Sequence, residues 1–278
     1  MRTAYLVTGG AGFLGAALIR RLVTAGHRVR SFDDYSRGVP ERLRDCVADI
    51  ECVQGDIRDL DALRRAARGM ESIIHLAFVN GTEFFYSEPE RVLDVGVRGM
   101  LNVLDACRAE GIRELFVASS SEVYQCALVV PTDESVPLTI PDVKNPRYSY
   151  AGGKLISELL AMNYGRTNFA RVVVFRPHNV YGPAMGWEHV IPQFALRAIE
   201  AIGRHPVGPV PFPIQGDGSQ TRAFTHIDDF TDGLCCLLER GAHLEVYHVG
   251  NPEEVTIHEV ARQVVACLGR TAEIIPGP

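Results

Sequence analysis

Along the N-terminal part of the chain, short apolar runs rich in Val, Ile and Phe alternate with longer segments of helical period. The runs 4–8 (AYLVT), 28–33 (RVRSFD), 49–54 (DIECVQ), 72–76 (SIIHL), 114–119 (ELFVAS) and 171–176 (RVVVFR) predict strands. Segments 13–25, 59–68, 90–110 and 148–164 predict the helices between them. Such alternation calls for a parallel sheet covered on both faces, because each parallel connection needs a crossover that lies over the sheet. The expected fold class is α/β, with a doubly wound parallel sheet. After residue 177 the pattern breaks: Pro183, Pro192, Pro206, Pro209, Pro211 and Pro213 punctuate a stretch holding one predicted helix, 190–203. Helical periods return at 227–239 and 256–268, around a strand-like run at 244–249 (LEVYHV). A sheet domain from 1–176 and 222–250 is therefore expected, with a smaller C-terminal lobe from 177–221 and 251–278.

Composition narrows the classes. At 278 residues, with 46% hydrophobic and 22% charged residues, the chain is an ordinary globular protein long enough for a sizeable core. A formal net charge of −6 gives no overall basic footprint for nucleic acid. No apolar run reaches the roughly 20 residues that cross a bilayer, and the N-terminus leads straight into a strand, so no membrane partner and a cytoplasmic address are expected. The seven cysteines (Cys46, Cys52, Cys107, Cys126, Cys235, Cys236 and Cys267) are scattered with no C-x-x-C pair. That favours reduced structural thiols, and no metal is expected.

The candidate chemistry begins at Gly9-Gly10-Ala11-Gly12-Phe13-Leu14-Gly15, between the first strand and the first helix. Glycines at 9, 12 and 15 let backbone N–H groups and the helix N-terminus approach a pyrophosphate, as in Rossmann-type domains. Asp33, at the end of the second strand, stands where a carboxylate accepts hydrogen bonds from an adenosine ribose and repels a 2′-phosphate, so NAD is expected over NADP. Arg37 nearby either weakens that preference or is a solvated loop charge. Asp56-Ile57 after the third strand has two readings, the adenine end of the cofactor site or an ordinary helix N-cap region. Leu76-Ala77 follows the fourth strand at the same sheet edge, whereas His75 reads as a satisfied core histidine. Ser120, in the Ser-Ser-Ser-Glu-Val-Tyr run 119–124, precedes Tyr150 and Lys154, which stand at i and i+4 on one helix face. A nearby ammonium is expected to lower the Tyr150 pKa from near 10 towards neutrality, with Ser120 binding the same substrate hydroxyl.

In sequence order TGGAGFLG, GDIRD, HLA, SSSEVY, YAGGK, RPHNVYGP, GDGSQTRAFTHIDD and YHVGNPEEVTI make the chain resemble the extended short-chain dehydrogenase/reductases, specifically the NAD-dependent nucleotide-sugar epimerases and dehydratases. The resemblance implies a nucleotide-sugar 4-epimerase that works through a transient 4-keto sugar. It makes Tyr150 the general acid/base, Lys154 its electrostatic partner and ribose ligand, and Ser120 the hydroxyl-orienting group. It places His178 near the nicotinamide, Asn179 near the substrate phosphates and Arg222 as a cation for the diphosphate. An ion pair of Arg222 with Asp228 or Asp229 is the other reading. A homodimer is implied too, through apolar positions such as Val97, Leu101, Leu104, Leu155, Leu159 and Met162, which could equally face the sheet.

Departures bear on the reaction. Gly96 stands where many relatives carry Asn, and Gln125-Cys126 where they usually have Gly. Segments 79–86 and 185–192, with Thr82 and His189, read as sugar-pocket loops or as plain loop packing. Glu122 suits a C5 base in dehydration or the chemistry of a uronate decarboxylase, but Ser121 is a poor general acid, so dehydration ranks below epimerisation. A non-catalytic NAD-binding scaffold or sensor is the alternative from another class. Relatives also extend beyond the point matching Pro278, which implies an incomplete lobe.

Overall fold

The computed structural model describes residues 2–125 and 129–278. The first part of the chain forms β1 (Ala4–Thr8), α1 (Phe13–Thr24), β2 (Arg28–Asp33), β3 (Glu51–Gln54), α2 (Leu60–Ala67), β4 (Ser72–His75) and α3 (Thr82–Ser87). Then come α4 (Pro89–Leu93), α5 (Gly99–Glu110), β5 (Glu114–Ala118), α6 (Ser149–Asn168) and β6 (Arg171–Pro177). The remainder comprises β7 (Val180–Tyr181), α7 (Val190–Arg204), β8 (Val210–Ile214), β9 (Thr221–Ala223), β10 (Thr225–His226) and α8 (Ile227–Arg240). It ends in β11 (Glu245–Val249), β12 (Glu254–Thr256), α9 (Ile257–Cys267) and β13 (Ala272–Pro276).

Two compact units result. The first runs through His178 and includes Ile227–Val249; the second is Asn179–His226 with Gly250–Pro278. The return to the first unit thus falls at residue 227, not 222, because β9 pairs antiparallel with β12 (Arg222 opposite Val255) inside the second unit.

The first unit is a seven-stranded sheet in the order β11-β6-β5-β4-β1-β2-β3, with every pair parallel. The near-continuous apolar strands explain this: β1 is buried at all five positions and Leu115, Phe116, Val117, Val172, Val173, Val174 and Phe175 are fully enclosed, as a sheet covered on both faces requires. Strand order reverses between β1 and β4, so a crevice opens at their carboxyl ends. The predicted helix 90–110 is interrupted by a widened, π-helical turn, Asp94–Arg98, which brings Gly96 against the Phe78 ring, while Gly99 at the start of α5 lies against Ile57. The second unit packs Phe194 and Ala198 of α7, Val210, Phe212 and Ile214 of β8, and Val260, Ala261 and Val265 of α9 into its own core.

Candidate active site

The glycine loop joins β1 to α1 at the crevice. Gly9 has φ +70°, and a Cβ there would lie 2.8 Å from the Ala77 nitrogen; a Cβ on Gly15 would overlap the Gly9 carbonyl. Gly12 is the N-cap of α1 and offers no side-chain cap, so the first N–H groups of the helix at Phe13 and Leu14 face no capping oxygen. The buried Asp33 carboxylate accepts the N–H groups of Ala11 and Tyr35 at 2.9 Å each, which ties the glycine loop to the turn after β2. Burial raises its pKa, opposed by those two bonds. The Asp56 carboxylate accepts from the Arg58 N–H and guanidinium. Arg58 bridges it to Asp94 at 2.6 and 3.1 Å, and Asp59 supplies the α2 N-cap by accepting from the Ala62 N–H. Ile57 is buried against Gly99, and its carbonyl accepts from Asn102 at 2.9 Å.

His75 is the core histidine expected: it is buried and its Nδ1 lies 2.8 Å from the Thr8 hydroxyl. Burial, aided by the charge of Lys154, pushes its pKa down to about 3. The unfolded chain therefore takes up the proton first, so stability that is full above pH 6.5 is lost as pH falls towards 3. Unfolding by denaturant at pH 5.0 should show about 2 kcal/mol less stability from this group than at pH 7.5. The pH dependence should flatten in His75→Gln. An equal slope in that variant would remove His75 as the cause.

Tyr150 and Lys154 lie in the first turns of α6 and are 7% and 4% exposed, with Ser120, just past β5, in hydrogen-bonding range of the phenol. The direction of the tyrosine shift differs from expectation. Burial pushes Tyr150 up to about 12, opposed by the Ser120 hydrogen bond, and Lys154 down to about 7, opposed by the charge of Glu158. Desolvation of both groups outweighs their mutual effect because the pocket is aromatic: Phe85 stacks on Tyr150 at 5.0 Å and Phe78 meets its edge at 5.1 Å. The lysine ammonium donates to the Ala118 carbonyl at 2.7 Å and lies 4.0 Å from the Phe78 ring centre. Only two lysines occur in the chain, so an amine at 154 stands out in a chain that otherwise uses arginine.

Glu122 is held by Arg147, at 2.9 Å, and the Nη1 of that arginine is buried with no partner among the described residues. Behind the pocket lies a network that motif reading missed. Arg176 of β6 makes a two-pronged pair with Glu158 of α6 at 2.9 and 2.7 Å, Ser119 donates to Glu158, and Arg176 donates to the Tyr124 hydroxyl. That hydroxyl lies 2.6 Å from His248 Nε2. His178 packs on His248 with ring centres 4.7 Å apart, and its own Nε2 is buried with no partner among the described residues. Burial pushes the His178 pKa down to about 4.

The structure thus brings Ser120, Glu122, Tyr150 and Lys154 together in the first unit, which also holds His178, Leu76 and Ala77. Thr82 begins α3 as an exposed residue; in segment 79–86 it is Phe85, with Phe78 just before it, that reaches Tyr150. The other three belong to the second unit. There Asn179 donates to the Ala223 carbonyl at 2.8 Å, Arg222 donates to the Thr221 carbonyl at 2.7 Å from exposed β9, and His189 is the N-cap residue of α7. The six described cysteines are free, whereas Cys126 lies outside the described residues. No metal-binding group of His, Cys, Asp and Glu occurs among the described residues, and no described helix is long and apolar enough to cross a membrane.

A profile of the NAD-dependent epimerase/dehydratase family matches residues 5–250. The chain belongs to this family. It is 31% identical to UDP-glucuronic acid decarboxylase 1 of Arabidopsis thaliana over 98% of its own length, and spans 60% of that protein. Its fold matches dTDP-glucose 4,6-dehydratase DesIV of Streptomyces venezuelae, solved with NAD, with a TM-score of 0.84 at 28% identity, covering 100% of this chain and 85% of that one. UDP-glucose 4-epimerase of Thermus thermophilus, in complex with NAD, matches with a TM-score of 0.84 at 27% identity, over 100% and 86% of the two chains. NAD is the family's cofactor, and residues here fit it. The α1 N-terminus lacks a side-chain cap, a Cβ at Gly9 or Gly15 would fill the loop, and the orphaned His178 Nε2 needs a polar partner.

Proposed function

We propose that this chain is a nucleotide-sugar 4-epimerase, which oxidises C4 of a nucleotide-diphosphate sugar to a transient ketone and restores the alcohol with inverted configuration. The observation that carries the reading is the convergence of Ser120, Tyr150 and Lys154 in one dried pocket beside the glycine-loop crevice. Tyr150 takes the proton from the C4 hydroxyl and returns it to the same oxygen after the ketone has turned over, while Ser120 holds that oxygen. Lys154, in its ammonium form, stabilises the tyrosinate that takes up this proton and is regenerated when the proton is returned. What NAD supplies when bound is a reversible acceptor for the C4 hydride.

Within this reading Gly9, Gly12, Phe13, Leu14, Gly15, Asp33, Asp56, Ile57, Leu76, Ala77 and His178 serve the cofactor. Asn179 and Arg222 serve the substrate diphosphate, and Thr82 and His189 the sugar. The protein acts as a cytoplasmic homodimer, and the exposed Ile156 and Leu159 of α6 offer an apolar contact, whereas Leu104 is spent in the core.

The engagement of Glu122 by Arg147 suits a carboxylate that orders the pocket, and it ranks dehydration low. Decarboxylation of a nucleotide uronate is the second reading, favoured by the unpartnered Arg147 Nη1 in the same neighbourhood. A guanidinium there would bind a C6 carboxylate. A C4 ketone lies β to that group, so the C5–C6 bond breaks with its electrons passing to the ketone as CO₂ leaves.

Incubation with a panel of UDP-, GDP-, ADP-, CDP- and dTDP-hexoses and uronates, read by mass spectrometry and proton NMR, tests both readings. A product of unchanged mass with inverted C4 coupling is expected. Loss of CO₂ would select the second reading, loss of water would select dehydration against both, and bound NAD with silence across the panel would favour a non-catalytic binding protein.

A further inference from the structure

Phe78 lies just past β4, outside the glycine loop and outside the Ser-Tyr-Lys set. Its ring occupies a socket made by two glycines. A Cβ on Gly96, at the centre of the widened turn, would lie 2.5 Å from the ring tip, and one on Gly153, the neighbour of Lys154, 3.0 Å from it. The ring in that socket touches both members of the candidate couple, at 4.0 Å from the Lys154 ammonium to the ring centre and 5.1 Å between the Phe78 and Tyr150 rings. Gly96 thus leaves, at the centre of the widened turn, room that an aromatic ring fills.

We infer that Phe78 is the positioning residue of the Tyr150–Lys154 couple, holding the ammonium on the Ala118 carbonyl by a cation–π contact while keeping water from it. The inference rests on the reading of Tyr150 and Lys154 as the catalytic couple. Two opposed effects of one ring follow. The face of the ring favours the charged amine, and its bulk disfavours it by exclusion of water. The charged and titratable groups around the couple stay constant when Phe78 is changed: His75 of β4, Glu158 of α6 with its partner Arg176 of β6, and Glu122 with Arg147 near the phenol.

The two effects separate by substitution. Phe78→Leu keeps an apolar side chain in the socket and removes the π face, so the Lys154 pKa should fall by about 0.5 to 1 unit. Phe78→Ala opens the socket to water, and the Lys154 pKa should rise by about 1 unit or more. The measurement is an NMR titration of protein labelled with ¹³Cε-lysine. With two lysines in the chain, exposed Lys144 is the internal reference for Lys154. The alkaline limb of the kcat–pH profile should move in the same direction as Lys154 in each variant. Shifts of opposite sign establish the role. An unmoved Lys154 in Phe78→Leu, or a shift of the same sign in both, overturns it. Where either variant fails to fold, Phe78→Met replaces Phe78→Leu and Phe78→Ser replaces Phe78→Ala, each expected to behave as the variant it replaces. The titration needs no substrate, so a failed substrate panel would strike the epimerase reading and leave this result standing.

Discussion

Tyr150→Phe is expected to lower kcat by about a thousandfold, within the range that removal of a positioned acid/base produces, and to leave the fold and NAD content unchanged. The substitution removes one oxygen. The ring remains stacked on Phe85 and edge-on to Phe78, and among the described residues the bond lost is the one to Ser120. Because the oxygen is buried, its removal also lifts a desolvation penalty, so thermal stability should hold or rise slightly. Substrate affinity should change little, since the proton transfer is worth most in the transition state. Kinetics on the first substrate that the panel identifies, with bound NAD quantified after denaturation, give the comparison. A loss of less than tenfold would remove Tyr150 from the role of base and move weight to Glu122 or Lys154.

The contrast between what the sequence foretold and what it concealed follows from the range of the forces involved. The glycine loop, Asp33 and the Tyr-Lys pair are local patterns, with spacing that is itself the geometry, so each could be located by counting residues. The sign of the Tyr150 shift is not local. It is decided by Phe78 and Phe85, which come from the end of β4 and from α3 and bury a residue some seventy positions away. Segment 79–86 lacks a long helical period, which hides the six-residue α3 that begins in it. In the second unit β8 reads Val-Pro-Phe-Pro-Ile, and the prolines mask a strand. Val210, Phe212 and Ile214 face its core and the prolines fall on the alternate positions, so the strand pairs with β13 along one edge. The ion pair of Glu158 with Arg176 joins two elements at an unremarkable spacing, and no motif announces it.

That pair carries the largest expected effect on stability. Arg176 and Glu158 have side chains 4% and 7% exposed and meet through two parallel bonds, with Ser119 also donating to the carboxylate and Tyr124 accepting from the guanidinium. Taking two such charges out of water costs several kcal/mol for each ion, which their mutual attraction offsets only while both are present. Arg176→Met should therefore destabilise the first unit by about 3 to 5 kcal/mol, because it leaves a buried carboxylate with the Ser119 hydroxyl and without its cation. The double variant Glu158→Leu/Arg176→Met leaves no orphaned charge and should recover at least half of that loss, a coupling that two independent sites would not show. Denaturant unfolding of the wild type, both single variants and the double variant at pH 7.5 measures it. Additive losses, or a single-variant loss under about 1 kcal/mol, would show that water reaches this pair and that it contributes no more than a surface bridge does. The same series reports on the site, because Glu158 is the carboxylate that raises the Lys154 pKa against burial. In Glu158→Leu the Lys154 resonance should titrate below its wild-type value of about 7, so the activity that depends on the ammonium should be confined to a lower pH range than in the wild type.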